Sequence, residues 1–513
     1  EMDFETAIDA TVDGNTFNAG ASVSAVTFVA STATMVTDAA VAADLQLTGG
    51  TSANDEFQIV GGTYIASDLA GITGVETFTI SDDATASITI SDNNATATQS
   101  LTIDGRSIVS TANTFTVVGT AENDAVITVH GSAGADAITG TVTATLGDTI
   151  YGYAGADVIT VDVDAMQTAD VIDGGAGSDT LTISGTGTLV DADLTGVTNI
   201  EKFEHAGTST LTTLGTQYME SGSAEITLGA VTNGLNLDAI TNDQILNLVA
   251  GTDTVDASAM TGALNVKLAE ASLTTADTLT GGTGTADTLT VTYSGTANVS
   301  GDFDNVTGFE KIVAATNAAG GLAILDAMTT AASSLELDFT ALTSTVATVD
   351  MALESNAGVT LNTGGGDDVI TMTISSVGDT ISSGAGADGI TTAIAQLTSA
   401  DTVNGGAGTD TLTFSDVGAI ADADFTNVSN IEALTLADGT NTIVLGAEYA
   451  ESGSVTITGG TGADSITLGS GVTTAQTVAL TTAGNDTVAA TGATGVITVT
   501  MDDDDLDGND TLT

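Results

Sequence analysis

The sequence predicts an all-β protein, built of parallel β-solenoid modules in tandem with a few short helices. Three observations carry that reading. Val, Ile, Leu and Thr alternate in short runs broken by Gly and Asp, the period-two pattern of half-buried strands. Acidic, glycine-bent turns recur at fixed intervals. A long block is also duplicated, since residues 148–225 align without a gap onto 379–456 at an offset of 231.

The duplicated block is marked by Asp148/Asp379, Asp157/Asp388, Asp179/Asp410, Asn199-Ile200-Glu201/Asn430-Ile431-Glu432 and Tyr218/Tyr449. A weaker signature recurs four times, as an Asp followed by Leu or Phe and, 8 residues after the Asp, by a Glu: Asp68…Glu76, Asp193…Glu201, Asp302…Glu310 and Asp424…Glu432. Five segments follow: β-rich modules at 1–118 and 231–345, turn-repeat modules at 119–230 and 346–456, and a tail at 457–513. Leu214–Glu220 and Leu445–Glu451 read as short helices, each stopped by a glycine (Gly222, Gly453). The stretch 319–337 lacks strand alternation and is a candidate helix.

Composition sets limits on function. The chain has 67 Asp+Glu against 4 Lys+Arg, a formal net charge of -63. Two like charges 4 Å apart in water repel by about 1 kcal/mol. Arg106, Lys202, Lys267 and Lys311 cannot neutralise such a field, so cations from solution must. Nucleic acid is excluded as a partner, because phosphate binding needs basic side chains. No Cys is present to form disulfides, no Pro to break ladders and no Trp to thicken the core. No apolar run of about 18 residues is available to insert into a membrane. The chain reads as a mature or trimmed piece.

The recurring turn is Gly174-Gly175-Ala176-Gly177-Ser178-Asp179, repeated as Gly405-Gly406-Ala407-Gly408-Thr409-Asp410. Relatives close on Asp136, Asp157, Asp368, Asp388 and Asp464, and looser ones on Asp55, Asp124, Asp287, Asp486 and Asp510. Glycines at Gly152, Gly155, Gly175, Gly177, Gly384, Gly386, Gly406 and Gly408 let the turn aim its carbonyl oxygens inward. The closing Asp adds a carboxylate, and the apolar residue two positions on enters the core. Asp148 lies 9 residues before Asp157, Asp170 before Asp179, Asp379 before Asp388 and Asp401 before Asp410. Full motifs are 21 or 22 apart (Asp136 to Asp157; Asp157 to Asp179; Asp388 to Asp410; Asp464 to Asp486). A coil with one nonapeptide half and one longer half satisfies both series and stacks turn on turn. Hard oxygen donors in that arrangement suit Ca²⁺, which takes about 6–8 of them at 2.3–2.6 Å. Asp173, Asp277 and Asp367, beside these turns, complete the candidate metal ligands.

The motif resembles the Gly-Gly-x-Gly-x-Asp-x-aliphatic-x nonapeptide of RTX (repeats-in-toxin) proteins, and the modules with Asn-Ile-Glu resemble RTX-type S-layer proteins of Gram-negative bacteria such as Caulobacter. The resemblance implies a parallel β-roll with several Ca²⁺ ions between coils. Carried over, the ligand role falls first on Asp157, Asp179, Asp388 and Asp410. It also implies export by type I secretion and folding in extracellular calcium. The chain departs from the family pattern in interrupting the tandem repeat and in often lacking the first glycine.

The expected function is structural: a secreted, self-assembling subunit of a surface lattice or filament, folded and cross-linked by Ca²⁺. Its expected partners are other copies of itself, with cell-surface polysaccharide as a candidate anchor. Alternatives are an RTX adhesin or biofilm-matrix fibre, and the non-catalytic repeat region of a secreted enzyme. An enzyme is not expected, since there is no His-Glu-x-x-His motif and no Ser–His pairing, and His130 and His205 read as structural. Glu76, Glu201, Glu310 and Glu432 read as structural caps or as metal or lattice contacts. The run Asp502–Asp505 reads as a solvated rim. Asn94-Ala95-Thr96 and Asn298-Val299-Ser300 match a glycosylation pattern.

Overall fold

Where apolar and hydroxyl side chains alternate, one face of a strand seeks a core and the other seeks water. Parallel coiling gives every such strand a neighbour above and below. In the computed structural model, every strand pair among the described residues is parallel. The described residues are 16–20, 22, 24–30, 46–96, 99–142, 147–206, 210–211, 213–230, 232–284, 286–295, 303–329, 334–480, 484–501 and 510–513. Asp302, Asn298-Val299-Ser300 and the run Asp502–Asp505 lie outside them. Two compact units are formed, 1–262 and 263–513, and each is a parallel β-solenoid.

In the first unit, Ala137–Thr139, Val158–Asp162, Thr180–Ser184, Lys202–His205 and Glu225–Thr227 are successive rungs of one ladder. Val126–His130, Thr149–Tyr151 and Val171–Asp173 are rungs of another. In the second unit, Val369–Thr371, Gly389–Thr392, Thr411–Phe414, Ala433–Thr435 and Thr456–Thr458 form a comparable ladder. Register partners sit one coil apart, as in Ile159↔Leu181 and Ile390↔Leu412. The core is therefore a set of apolar, mainly aliphatic columns. Ile138, Ile159, Leu181, Phe203 and Ile226 stack in one, and Ile370, Ile390, Leu412, Leu434 and Ile457 in the other, all at 2% exposure or less. Burying each such side chain contributes about 1.5–3 kcal/mol. The one-residue alternation places Thr180 and Thr182 outward while Leu181 and Ile183 point in.

Short helices close some coils. Thr216–Glu220 and Ala447–Glu451 each end before a left-handed glycine, Gly222 and Gly453 (φ +94 for both). An Asp from the previous coil caps each N-terminus. Asp191 accepts the amides of Gly215, Gln217 and Tyr218, and Asp422 those of Gly446, Glu448 and Tyr449. A third helix spans Ala66–Leu69.

Among its described residues, the candidate helix at 319–337 is not helical. Gly320–Leu325 and Leu335–Asp338 are strands, the first paired with Ala347–Leu353 and the second with Val359–Asn362. Gly320 and Gly321 disfavour a helix, and a neighbouring rung supplies the backbone partners that a strand needs.

Candidate metal centre

The Gly–Asp turns form the corners of the coils, and their Asp residues hydrogen-bond in single file along each corner. The Asp136 amide donates to Asp157 Oδ1 (2.8 Å) and the Asp157 amide to Asp179 Oδ1 (2.8 Å). In the second unit Asp368 donates to Asp388 (2.8 Å) and Asp388 to Asp410 (2.9 Å). Asp464 likewise donates to Asp486, and Asp486 to Asp510. One carboxylate oxygen of each Asp is thus spent on backbone of the coil before it.

The second oxygen distinguishes the corners. At Asp157, Asp179, Asp368, Asp388 and Asp410 it is buried and takes no hydrogen bond. Four of these turns carry a left-handed residue in their second position: Tyr153 (φ +73), Gly175 (φ +95), Gly384 (φ +90) and Gly406 (φ +89). In three other turns an amide swings onto the carboxylate, whereas at Asp368 and Asp464 Oδ2 stays without a hydrogen bond although the second residue, Gly364 or Gly460, is not left-handed. Gly50 donates to Asp55 Oδ2, Ser132 to Asp136 Oδ2 (2.5 Å) and Gly282 to Asp287 Oδ2 (2.6 Å). The left-handed turns also pair with each other, Ala154–Gly155 with Ala176–Gly177 and Ala385–Gly386 with Ala407–Gly408.

Electrostatics follow from this geometry. Burial, then the neighbouring Asp136 and Asp179 charges, raise Asp157 to about 7, against the partial relief of its backbone hydrogen bond. Burial raises Asp368 and Asp410 to about 6. Asp179 and Asp388 are raised for the same first reason. A buried, unpartnered carboxylate oxygen is costly, and a cation relieves that cost.

The remaining donors are backbone. At Gly152 a side chain would overlap both Asp157 Oδ2 and the Gly174 carbonyl oxygen, so these oxygens converge on the bare face of the glycine. Among the described residues no three Asp, Glu or His side chains gather in one cluster. The donor set is instead one carboxylate per coil plus turn carbonyls, all hard oxygen, which fits Ca²⁺. Bound there, calcium would supply two positive charges to oxygens that the fold has already stripped of water.

A second row of candidate carboxylates lies 9 residues before the turn Asp (10 for Asp277) and is built differently. Asp148 accepts the amides of Ile127 (3.1 Å) and Thr141 (2.9 Å), Asp170 those of Asp148 and Gln167 (2.7 and 2.6 Å). Asp379 accepts from Val359 and Thr373, and Asp401 from Asp379 and Thr398. Asp277 takes the amide and hydroxyl of Thr274. In these five, protein donors reach the oxygens that the turn row leaves bare. Asp173 and Asp367 stand outside both rows. Asp173 accepts from the Asn199 side chain, and Asp367, exposed, from the Ala387 amide. Asp124 is exposed and donates its amide to Glu122.

Four of the turn rows end on a Glu. Glu201 Oε2 accepts the Asp179 amide and Glu432 Oε2 the Asp410 amide, both at 2.8 Å. Glu76 serves Asp55 and Glu310 serves Asp287 in the same way. Intervals of 22 (Asp179 to Glu201, Asp410 to Glu432) equal the coil repeat, a signal present in the sequence that the 8-residue signature obscured. The Thr-x-x-Asp spacing of Thr274/Asp277 and Thr398/Asp401 likewise marks a local cap.

Comparison with protein families matches the RTX calcium-binding nonapeptide repeat in four copies, over residues 147–165, 162–182, 398–415 and 449–474. No curated protein and no solved structure matches the chain. The protein is thus a β-solenoid carrying RTX repeats, with calcium as its cofactor at multiple copies. The corner at Gly384–Asp388 lies outside the matched residues yet has the same geometry. Among the described residues no helix is long and apolar enough to cross a membrane.

Proposed function

We propose that the chain is a structural, self-assembling extracellular protein, a subunit of an S-layer lattice or filament that calcium folds and cross-links, with no catalytic role. The observation that carries this reading is the row of buried, unpartnered carboxylate oxygens at coil corners, in a chain of net charge -63. An isolated acidic solenoid repels itself, and cations in its corners remove that repulsion. Each independent site adds RT ln(1 + [L]/Kd), about 2.7 kcal/mol at a hundredfold excess, so a few sites decide whether the chain folds. Such dependence suits export unfolded and folding outside, where calcium is plentiful; RTX repeat proteins are typically secreted. Solenoid coils expose backbone at their ends, which favours pairing between copies. The acidic outer faces give calcium a second task, screening one copy from the next.

The test is chelation with EGTA and readdition of millimolar calcium, followed by circular dichroism and electron microscopy. Loss of β signal on chelation and ordered arrays on readdition are expected. Isolated fibrils with no lattice would move the reading to an adhesin or matrix fibre. Folded, monodisperse single chains at millimolar calcium would overturn self-assembly.

A further inference from the structure

The Glu corners that end the turn rows carry more than a cap. In both duplicated blocks, the six-residue turn gives way to a three-residue corner, Asn199-Ile200-Glu201 or Asn430-Ile431-Glu432. The Asn is left-handed in each (φ +52 and +54), a conformation that Asn tolerates better than most residues. Its carbonyl is thereby brought against the first glycine of the turn below. A side chain at Gly174 would overlap the Asn199 carbonyl oxygen and lie 2.9 Å from Asp179 Oδ2; at Gly405 it would overlap that of Asn430 and lie 2.8 Å from Asp410 Oδ2. Asp179 and Asp410 are fully buried (0% exposure), and that same Oδ2 has no partner in either. Glu201 and Glu432 each give one oxygen to the amide of that Asp.

From this we infer that Asn199-Ile200-Glu201 and Asn430-Ile431-Glu432 each complete a terminal calcium site, outside the matched nonapeptides. Its oxygen donors are Asp179 Oδ2, the Asn199 carbonyl and the Glu201 carboxylate in the first block, and Asp410 Oδ2, the Asn430 carbonyl and the Glu432 carboxylate in the second. The longer Glu side chain lets a shorter corner reach the position that an Asp holds in a full turn. The site rests on the calcium reading of the turn row but adds residues to it. The remaining Glu corners differ: Asp55 and Asp287 spend Oδ2 on the amides of Gly50 and Gly282, so no terminal ion is assigned at Glu76 or Glu310.

The test is calcium binding by the full chain carrying Glu201→Gln or Glu432→Gln. The Gln carbonyl still accepts the Asp amide, so a mere cap is preserved while a charged ligand is lost. Equilibrium dialysis with calcium should show about one ion fewer per variant, or one class of site weakened at least ~tenfold, roughly 1.4 kcal/mol. Where a variant is unfolded without calcium, the readout is the calcium concentration at half-maximal refolding, which should rise. Unchanged stoichiometry, affinity and refolding midpoint in both variants would falsify the terminal site. Asp157→Asn and Asp388→Asn separate the two readings. If they lower the ion count and the Gln variants do not, the terminal site alone fails; if they too leave it unchanged, the calcium reading of the row fails.

Discussion

Asp170 and Asp179 lie 9 residues apart in the same coil, are both buried, and each accepts an amide from the coil before. Only the second oxygen differs. At Asp170 the Gln167 amide fills it, whereas at Asp179 nothing does. The duplicated block repeats the contrast at Asp401 and Asp410. One backbone dihedral accounts for the bare oxygens of the duplicated turns. Left-handed Gly175 and Gly406 turn their amides away from the carboxylate, while the turn before Asp170 and Asp401 folds its amide onto it. The same residue type thus serves as a cap on one corner of the coil and leaves an oxygen bare for a cation on the other.

Replacing one Asp from each row tests this contrast most severely. Asp170→Ala strips acceptors from the amides of Asp148 and Gln167, and each buried amide left unpaired costs about 1–3 kcal/mol. It should lower the melting temperature while leaving the calcium count unchanged. Asp179→Asn should lower the calcium count while leaving the calcium-free melting temperature unharmed, since its Oδ1 still accepts the Asp157 amide and only the charged oxygen goes. Equal loss of calcium in both variants, by dialysis, would mean that the rows do not differ in kind. Gly174→Ala comes next. Its new methyl overlaps the Asn199 carbonyl, and relieving such overpacking costs about 1–3 kcal/mol, read from melts with calcium bound. A variant as stable as the parent would show that the corner is looser than described.

Acidity offers a second test of the turn row, whose carboxylates burial raises. Asp157 stands at about 7 in the folded chain against an ordinary 3.8. Between those values the folded state therefore holds more protons than the unfolded state, and stability without calcium falls as pH rises through that window. Chelated protein should gain β signal and melting temperature on going from pH 8 to 5.5. Calcium-loaded protein should lose them, because protons displace the cation. Identical acid destabilisation in both forms would contradict the bare-oxygen geometry of the turn row.

Much of this was legible in the sequence. Alternating Thr and aliphatic residues gave the strands, and the intervals of 9 and 22 gave the coil, because stacking forces a constant path length per turn. The alignment of the turn Asp residues along the coil corners was legible for the same reason. What spacing could not separate was the role of Asp148, Asp170, Asp379 and Asp401 from that of Asp157, Asp179, Asp388 and Asp410, because both rows repeat at the coil interval. Their difference lies in which amide reaches the second oxygen, a matter of φ at one residue. The stretch at 319–337 was misread because a neighbouring rung, not local pattern, makes Gly320–Leu325 a strand.

The smallest expected effect concerns the one left-handed turn of the four that lacks glycine in its second position. Tyr153 holds φ +73 where its counterpart 231 residues on is Gly384 at φ +90. A bulky residue there costs about 1–3 kcal/mol of strain. In return the ring lies beside His130, whose Nδ1 meets the Tyr153 hydroxyl at 3.0 Å at an exposed site, a bond worth about 1 kcal/mol at most. The strain should outweigh the bond. Tyr153→Gly is therefore expected to raise stability slightly, by about 0.5–1 kcal/mol. Tyr153→Ala keeps the strained backbone but loses the ring, and should be the less stable of the two. Calcium binding should survive in the Gly variant, because the peptide orientation that bares Asp157 Oδ2 is kept. If Gly and Ala variants melt together, the left-handed turn is not under strain, and Tyr153 sits there at no cost to the fold.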